Sequence, residues 1–284
     1  AGSGIGRATA HLFADEGALV AVVDRNGEGV AQVVGEISDV HGADRVKGWT
    51  VDVTDNAALD GLPDAVAEAF GGIDILINNA GVMIPPKSTT VDGFELQVGT
   101  NHLGHFALTA HLLPHLRKAE NPRIITVSSI AHTMGRLNLE NMHGEGKRYD
   151  KWGQYGRSKL ANLMFALELA RRLKAAGSHI VSLCGHPGYA NTSLQRHSMM
   201  WRFLNNMALS APRGAAPIVF AATEPEALNH PYWGPVGPLE AWGWTGKAKM
   251  SKASTNQEDA KRLWAWSEDQ IGFAFDVPQL LAQA

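Results

Sequence analysis

Short apolar runs of strand length alternate along this chain with segments of helical periodicity, and that alternation restricts the fold more than any other feature. Residues 19–23, 46–51, 73–77, 123–127 and 179–184 read as strands. Residues 7–16, 28–39, 56–70, 95–118 and 155–175 read as helices, and a last helix is expected over 256–272. Strands joined through helices are parallel, so the expected fold class is α/β: a doubly wound parallel sheet with helices on both faces. The Gly-, Pro- and Trp-rich stretch 229–246 is expected to be irregular. With 284 residues, 45% of them hydrophobic, the chain can bury one substantial core, and a single domain over 1–284 is expected.

Polar residues close the apolar runs: Asp24, Asp52, Asn78 with Asn79, and Ser128 with Ser129. In open α/β sheets ligands bind at the carboxyl ends of the strands, which places the candidate site along that edge. At the start, Ala1-Gly2-Ser3-Gly4-Ile5-Gly6 leads into a helical segment. A glycine-rich turn entering a helix lets backbone N–H groups and the helix dipole meet a pyrophosphate, so Ser3, Gly4, Ile5 and Gly6 are candidate cofactor contacts. The strand expected before this turn is missing because the sequence starts at Ala1, and a sheet without it should lose a central member and leave its neighbours without ladder partners.

Asp24 stands about 20 residues after the glycine turn, where a carboxylate can accept hydrogen bonds from an adenosine ribose and repel a 2′-phosphate. NAD is therefore favoured. Arg25 beside it is suited to a 2′-phosphate, so NADP stays open. Asp52 is placed either to cap the helix that starts near Asn56 or to face the adenine.

Tyr155 and Lys159 in Tyr-Gly-Arg-Ser-Lys lie four residues apart on one helical face. A neighbouring ammonium favours phenolate, so the pair is expected to lower the Tyr155 pKa and give an acid/base usable near neutral pH. Taken alone, the same spacing suits an ordinary helix surface.

Taken together and in order, Gly-x-Gly-Ile-Gly at the start, Asp52-Val53, Asn78-Asn79-Ala80-Gly81, Asn101, Ser128-Ser129, Tyr-Gly-Arg-Ser-Lys and Pro187-Gly188 resemble the short-chain dehydrogenase/reductase family over most of residues 1–192. The segments 101–109, 127–132 and 155–162 look like its retinol-dehydrogenase-like branch. The resemblance implies a Rossmann fold and a catalytic set in which Tyr155 is the acid/base and Lys159 lowers its pKa and holds the nicotinamide ribose. It also implies that Ser129, rather than Ser128, bonds the substrate oxygen and that Asn101 holds a water linking Lys159 to solvent. Asn79, Ala80 and Gly81 would line the cofactor together with Val53 and with Pro187 and Gly188, and Thr192 would reach the carboxamide. The substrate implied is a small-molecule alcohol or carbonyl, lipophilic in this branch, with residues 130–154 forming part of the substrate wall and about 193–284 a C-terminal extension on the substrate side. Relatives commonly form homo-oligomers. The alternative is a non-catalytic dinucleotide sensor or scaffold with the same fold.

Net charge is −3 and no run of Lys or Arg forms a stripe, so nucleic acid is an unpromising partner. The single cysteine, Cys184, lies in an apolar run and reads as a buried, inert thiol. No apolar stretch reaches the roughly 18 residues that span a bilayer, and no signal-like start is present, so a cytoplasmic location is expected. His102, His105, His111 and His115 recur at helical spacing, but no Cys or carboxylate completes a ligand set and no metal is expected. The tryptophans are expected to pack the core, with one or two lining a pocket.

Overall fold

Residues 1–145, 148–190 and 208–283 are described in the computed structural model, so the expected Thr192 contact lies outside the described residues. The expected strands form with small shifts at their ends: β1 Val20–Asp24, β2 Val46–Thr50, β3 Ile75–Asn78, β4 Arg123–Val127 and β5 Val181–Gly185. The helices are α1 Gly4–Asp15, α2 Gly27–His41, α3 Asn56–Leu59, α4 Leu62–Phe70, α5 Leu96–Val98, α6 Gly104–Leu116, α7 Lys151–Ala175, α8 Ala211–Thr223, α9 Gln257–Ile271 and α10 Val277–Ala282. None of these is long and apolar enough to cross a membrane.

Three sequence expectations need correction. Helix 56–70 is broken at Gly61, whose φ of 72° turns the chain between α3 and α4. Helix 95–118 is interrupted by a π-helical turn, Gly99–Leu103, which carries Asn101. The supposedly irregular 229–246 contains β6 Tyr232–Pro235 and the start of β7 Thr245–Lys247. β6 eluded the pattern because it is short and holds Gly234 and Pro235; burial of Tyr232 and Trp233 makes it a strand.

All strand pairs are parallel except β6 with β7. Among the described residues the strands form two sheets, β1-β2 and β3-β4-β5-β6-β7. Between β1 and β3 runs a cavity of about 360 Å³, lined by Val20, Ala21 and Val23 on one side and Ile75, Leu76 and Ile77 on the other. Phe13 of α1 and Leu108 and Leu112 of α6 also line it. That slot lies between the facing edges of β1 and β3, which do not pair with each other among the described residues.

Helices cover both faces. On one, Phe106 of α6, Phe165 of α7, Trp264 of α9 and Phe275 pack together, with Phe106 and Trp264 rings 4.9 Å apart and Trp264 and Phe275 4.7 Å apart. On the other, Ile5 and Ala8 of α1 and Ile218 of α8 cover Ile125, Val127 and Leu183 of the sheet. Trp233 and Trp264 are thus core residues, whereas Trp244 is 82% exposed. β1 and β2 run parallel, as do β3 to β6, so each set gathers its carboxyl ends on one edge, and Gly6 at the start of α1 lies against Asn79 after β3.

Candidate active site

Helix α7 carries the tyrosine and lysine because Asp150 starts it: the Asp150 carboxylate accepts the Trp152 and Gly153 N–H groups. The helix therefore begins at Lys151, one turn before Tyr155. Tyr155 is buried, and the Ser129 hydroxyl stands near enough to its phenol to pull the phenol's pKa down. Ser129 follows β4 and caps a 3-10 turn, Ile130–Met134, its Oγ accepting the Ala131 N–H at 3.2 Å. Ser128 turns the other way: its hydroxyl donates to the Lys159 carbonyl at 2.7 Å. Of the two serines, Ser129 is the one that acts on the phenol.

The Tyr155 pKa differs from the sequence expectation. Burial raises it above its ordinary value, and the Ser129 hydrogen bond offsets this only in part. The Lys159 ammonium donates to the Val127 carbonyl at 3.0 Å, and burial brings its own pKa down to about 8. The ammonium is thus aimed at a main-chain oxygen, and burial of the phenol sets the direction of the Tyr155 shift.

Asn101 is buried on the π-helical turn. Its Oδ1 accepts the Val82 N–H at 2.7 Å, and its Nδ2 donates to the Val82 carbonyl at 3.0 Å and to Ser158 Oγ at 2.9 Å. The side chain thus pins the segment after β3 to α7. Gly81 sits in this junction: a methyl group there would lie 3.2 Å from Asn101 Oδ1 and 3.6 Å from Lys159 Nζ. Asn79 and Ala80 precede it on the same edge, partly exposed.

At the other end of the edge, Ser3 precedes α1 in extended geometry and Gly4 has φ 56°, a left-handed conformation that favours glycine. The N-terminus of α1, with buried Ile5 and Gly6, opens there. Asp24 closes β1; Oδ2 accepts the Gly2 N–H at 2.9 Å and bonds the Ala1 amine, and Oδ1 accepts the Asn26 N–H at 3.0 Å. Burial pushes its pKa up, while the hydrogen bonds from the Asn26 and Gly2 N–H groups pull it down. Arg25 approaches Asp52 at 3.9 Å. Asp52 does not cap α3; Asp55 does, accepting the Ala58 N–H, while Asp52 bonds Thr54. Val53 packs its carbonyl against Gly104, the first residue of α6.

Beyond β5, Gly188 adopts φ 67° and its N–H donates to His186 Nδ1 at 3.2 Å, setting the turn after Pro187. The next residue, Tyr189, donates its N–H to the Ala241 carbonyl at 2.9 Å, tying this segment to the β6–β7 hairpin. The residues fit a dinucleotide: a glycine turn in left-handed geometry at a helix N-terminus, a charged carboxylate after β1, and a small-residue junction beside Lys159.

The four helix histidines face different partners. His102 meets Ser267 at 2.8 Å and His105 meets Asn162 at 3.5 Å, both held near a pKa of about 3 by burial, while His111 and His115 approach Asp60 and Asp64. Cys184 is buried, and its pKa is pushed up to about 12. Sequence reasoning missed Ser158 and the Glu95 cluster, in which the carboxylate accepts from Tyr149 at 2.5 Å and from the Gln97 and Val98 N–H groups. Tyr149 lies on the 130–154 connection, so this buried carboxylate anchors that segment to α5.

A sequence model of the short chain dehydrogenase family matches residues 1–202. The chain belongs to the short-chain dehydrogenase/reductase family. It is similar to human retinol dehydrogenase 11, 37% identical over 282 residues covering 97% of this chain and 85% of that protein, and it falls in the retinol-dehydrogenase-like branch. Among solved structures it is similar to an uncharacterized protein from Mycobacterium paratuberculosis, with TM-score 0.79 and 38% identity over 97% of this chain and 92% of that one. It is also similar to 3-ketoacyl-(acyl-carrier-protein) reductase from Brucella melitensis complexed with NADH, with TM-score 0.63 and 27% identity over 80% and 88% of the two chains. This short-chain dehydrogenase/reductase is an NAD(P)-dependent enzyme interconverting an alcohol and a carbonyl.

Proposed function

We propose that the enzyme interconverts a lipophilic alcohol and its carbonyl compound with Tyr155 as acid/base, and that it favours NAD. The placement of the buried Tyr155 phenol on α7 near Ser129, which follows β4, with Lys159 one turn further along, carries the reading. In reduction, the substrate oxygen sits between these two groups; Tyr155 gives up its proton as negative charge develops there, and Ser129 donates a hydrogen bond to the same atom. In oxidation the proton returns to Tyr155. Lys159 lies one turn along α7 beside Gly81 and would hold the nicotinamide ribose, while the N-terminus of α1 would hold the pyrophosphate. When bound, the dinucleotide supplies or accepts the hydride.

NAD is favoured because Asp24 is kept charged by its hydrogen bonds and Arg25 is drawn to Asp52. A lipophilic substrate is supported by human retinol dehydrogenase 11, by its name a dehydrogenase of retinol, and by exposed apolar side chains on elements bordering the site. Met134 lies on the turn after Ser129, and Leu239 and Trp244 lie at the carboxyl end of β6.

The test is a panel of short and long-chain alcohols and aldehydes assayed by nicotinamide absorbance, with wild type beside Tyr155→Phe. Turnover rising with chain length and lost by at least about 100-fold in the variant is expected. Dinucleotide binding without turnover of any substrate would sink the reading and leave a sensor or scaffold.

A further inference from the structure

We infer that His132 is the positioning residue for the catalytic serine, a strut that holds the Ser129 main chain against the C-terminal part of the molecule. The inference rests on the reading of Ser129 and Tyr155 given above. His132 stands three residues after Ser129 on the Ile130–Met134 turn and is buried. Its Nδ1 lies 2.8 Å from the Ser129 carbonyl oxygen. A carbonyl only accepts, so Nδ1 carries the proton and Nε2 holds a lone pair. That lone pair meets a donor: the Ser251 N–H reaches Nε2 at 3.3 Å. One ring therefore spans from the serine's own peptide group to the turn that follows β7, with both nitrogens used and the tautomer determined by its partners.

The ring is also clamped sideways. Tyr232 of β6 stands edge-on to it, with centroids 5.5 Å apart and planes at 86°. Tyr232 in turn packs on His186 at 5.2 Å, and its hydroxyl lies beside Ser128. Burial lowers the His132 pKa, so the neutral ring that this bonding pattern requires is the form present at neutral pH. The direction of the strut matters for chemistry. The Ser129 hydroxyl is aimed by its backbone, with Oγ accepting from Ala131 on the same turn, so a shift of the Ser129 carbonyl moves the hydroxyl relative to Tyr155. A catalytic hydroxyl misplaced by about 1 Å loses on the order of 100-fold in rate.

Three variants separate the two ends of the strut. His132→Leu removes both polar contacts at similar volume; His132→Asn keeps an amide donor near the Nδ1 position; His132→Gln keeps a carbonyl acceptor near the Nε2 position. If the bond to Ser129 is what positions the serine, kcat falls roughly 10- to 100-fold in the Leu and Gln variants and stays within about threefold of wild type in the Asn variant. The dissociation constant for NADH, read by fluorescence, stays unchanged in all three. The rising limb of the kcat against pH profile for alcohol oxidation also moves to higher pH in the Leu variant, because Ser129 no longer holds the Tyr155 pKa down. Full kcat in the Leu variant, equal loss in the Asn and Gln variants, or loss of kcat that merely follows loss of NADH binding would overturn the strut. Absence of turnover in the wild type would overturn the parent reading and this one with it, which keeps the two failures distinct.

Discussion

Replacing Gly156 by alanine should separate the two halves of the catalytic pair while leaving every polar group in place. Gly156 follows Tyr155 on α7, and its face lies directly on the turn that starts at Ser129. A methyl group at Gly156 would lie 2.9 Å from the Ala131 carbonyl oxygen and 3.1 Å from the Gly135 nitrogen. The first distance is about 0.5 Å inside the 3.4 Å at which ordinary contact begins, and backbone cannot swing aside as a side chain can. The turn must therefore retreat from α7, and Ser129 retreats with it through its bond to Ala131. Two energies oppose each other in stability: alanine is better than glycine in a helix interior by about 0.5–1 kcal/mol, and overpacking costs about 1–3 kcal/mol. Stability should thus change between nothing and a loss of about 2.5 kcal/mol. Activity has no such compensation; half an ångström between Ser129 and Tyr155 should cost roughly tenfold in kcat. Alcohol oxidation at saturating dinucleotide, followed by absorbance, reads kcat, and a urea melt reads the folded fraction. A Gly156→Ala enzyme with wild-type kcat, or one whose activity falls only with its folded fraction, would refute the contact argument.

Two further outcomes follow from the electrostatics. Asp24→Ser removes one negative charge where a 2′-phosphate would lie; repulsion of about 1–2 kcal/mol at a distance near 5 Å corresponds to roughly tenfold, so the ratio of kcat/KM for NADP over NAD should rise by about that factor. An unchanged ratio would remove Asp24 from cofactor choice. For Lys159 the folded pKa of about 8 lies below the unfolded value of 10.5, so the unfolded chain holds more protons between those limits and wild-type stability rises with pH across that window. Lys159→Met, which buries no charge, should therefore be the more stable protein at pH 7 by about 3 kcal/mol, with the gap narrowing as pH climbs from 8 to 10.5. Urea midpoints at pH 7 and pH 10 measure it, and a gap that stays constant contradicts burial as the cause.

Much of the fold was legible because apolar period and strand length are local properties. Arg123–Val127 forms a strand where the run predicted one, and the helix carrying Tyr155 and Lys159 forms over residues 151–175. What escaped was set by partners distant in the chain. Tyr232–Pro235 looks irregular alone and becomes a strand only because β5 offers an edge and Tyr232 and Trp233 are buried. The break at Gly61 and the π-helical turn at Asn101 sit inside continuous helical patterns, where periodicity gives no warning of them. His132 stood in plain view after the two serines, yet its role depends on Ser251, far along the sequence.

By itself the sequence determined the α/β class, the edge on which the site lies, the order of its motifs and the spacing of Tyr155 and Lys159, since each follows from residue type and short-range period. The tertiary structure decided that Ser129 meets the phenol while Ser128 turns to the helix backbone, that the Lys159 ammonium points at Val127, and that the Tyr155 pKa goes up rather than down. The physical reason is common to all of these: side-chain direction, desolvation and ladder pairing are properties of what surrounds a residue, and in this protein those surroundings come from segments remote in the chain.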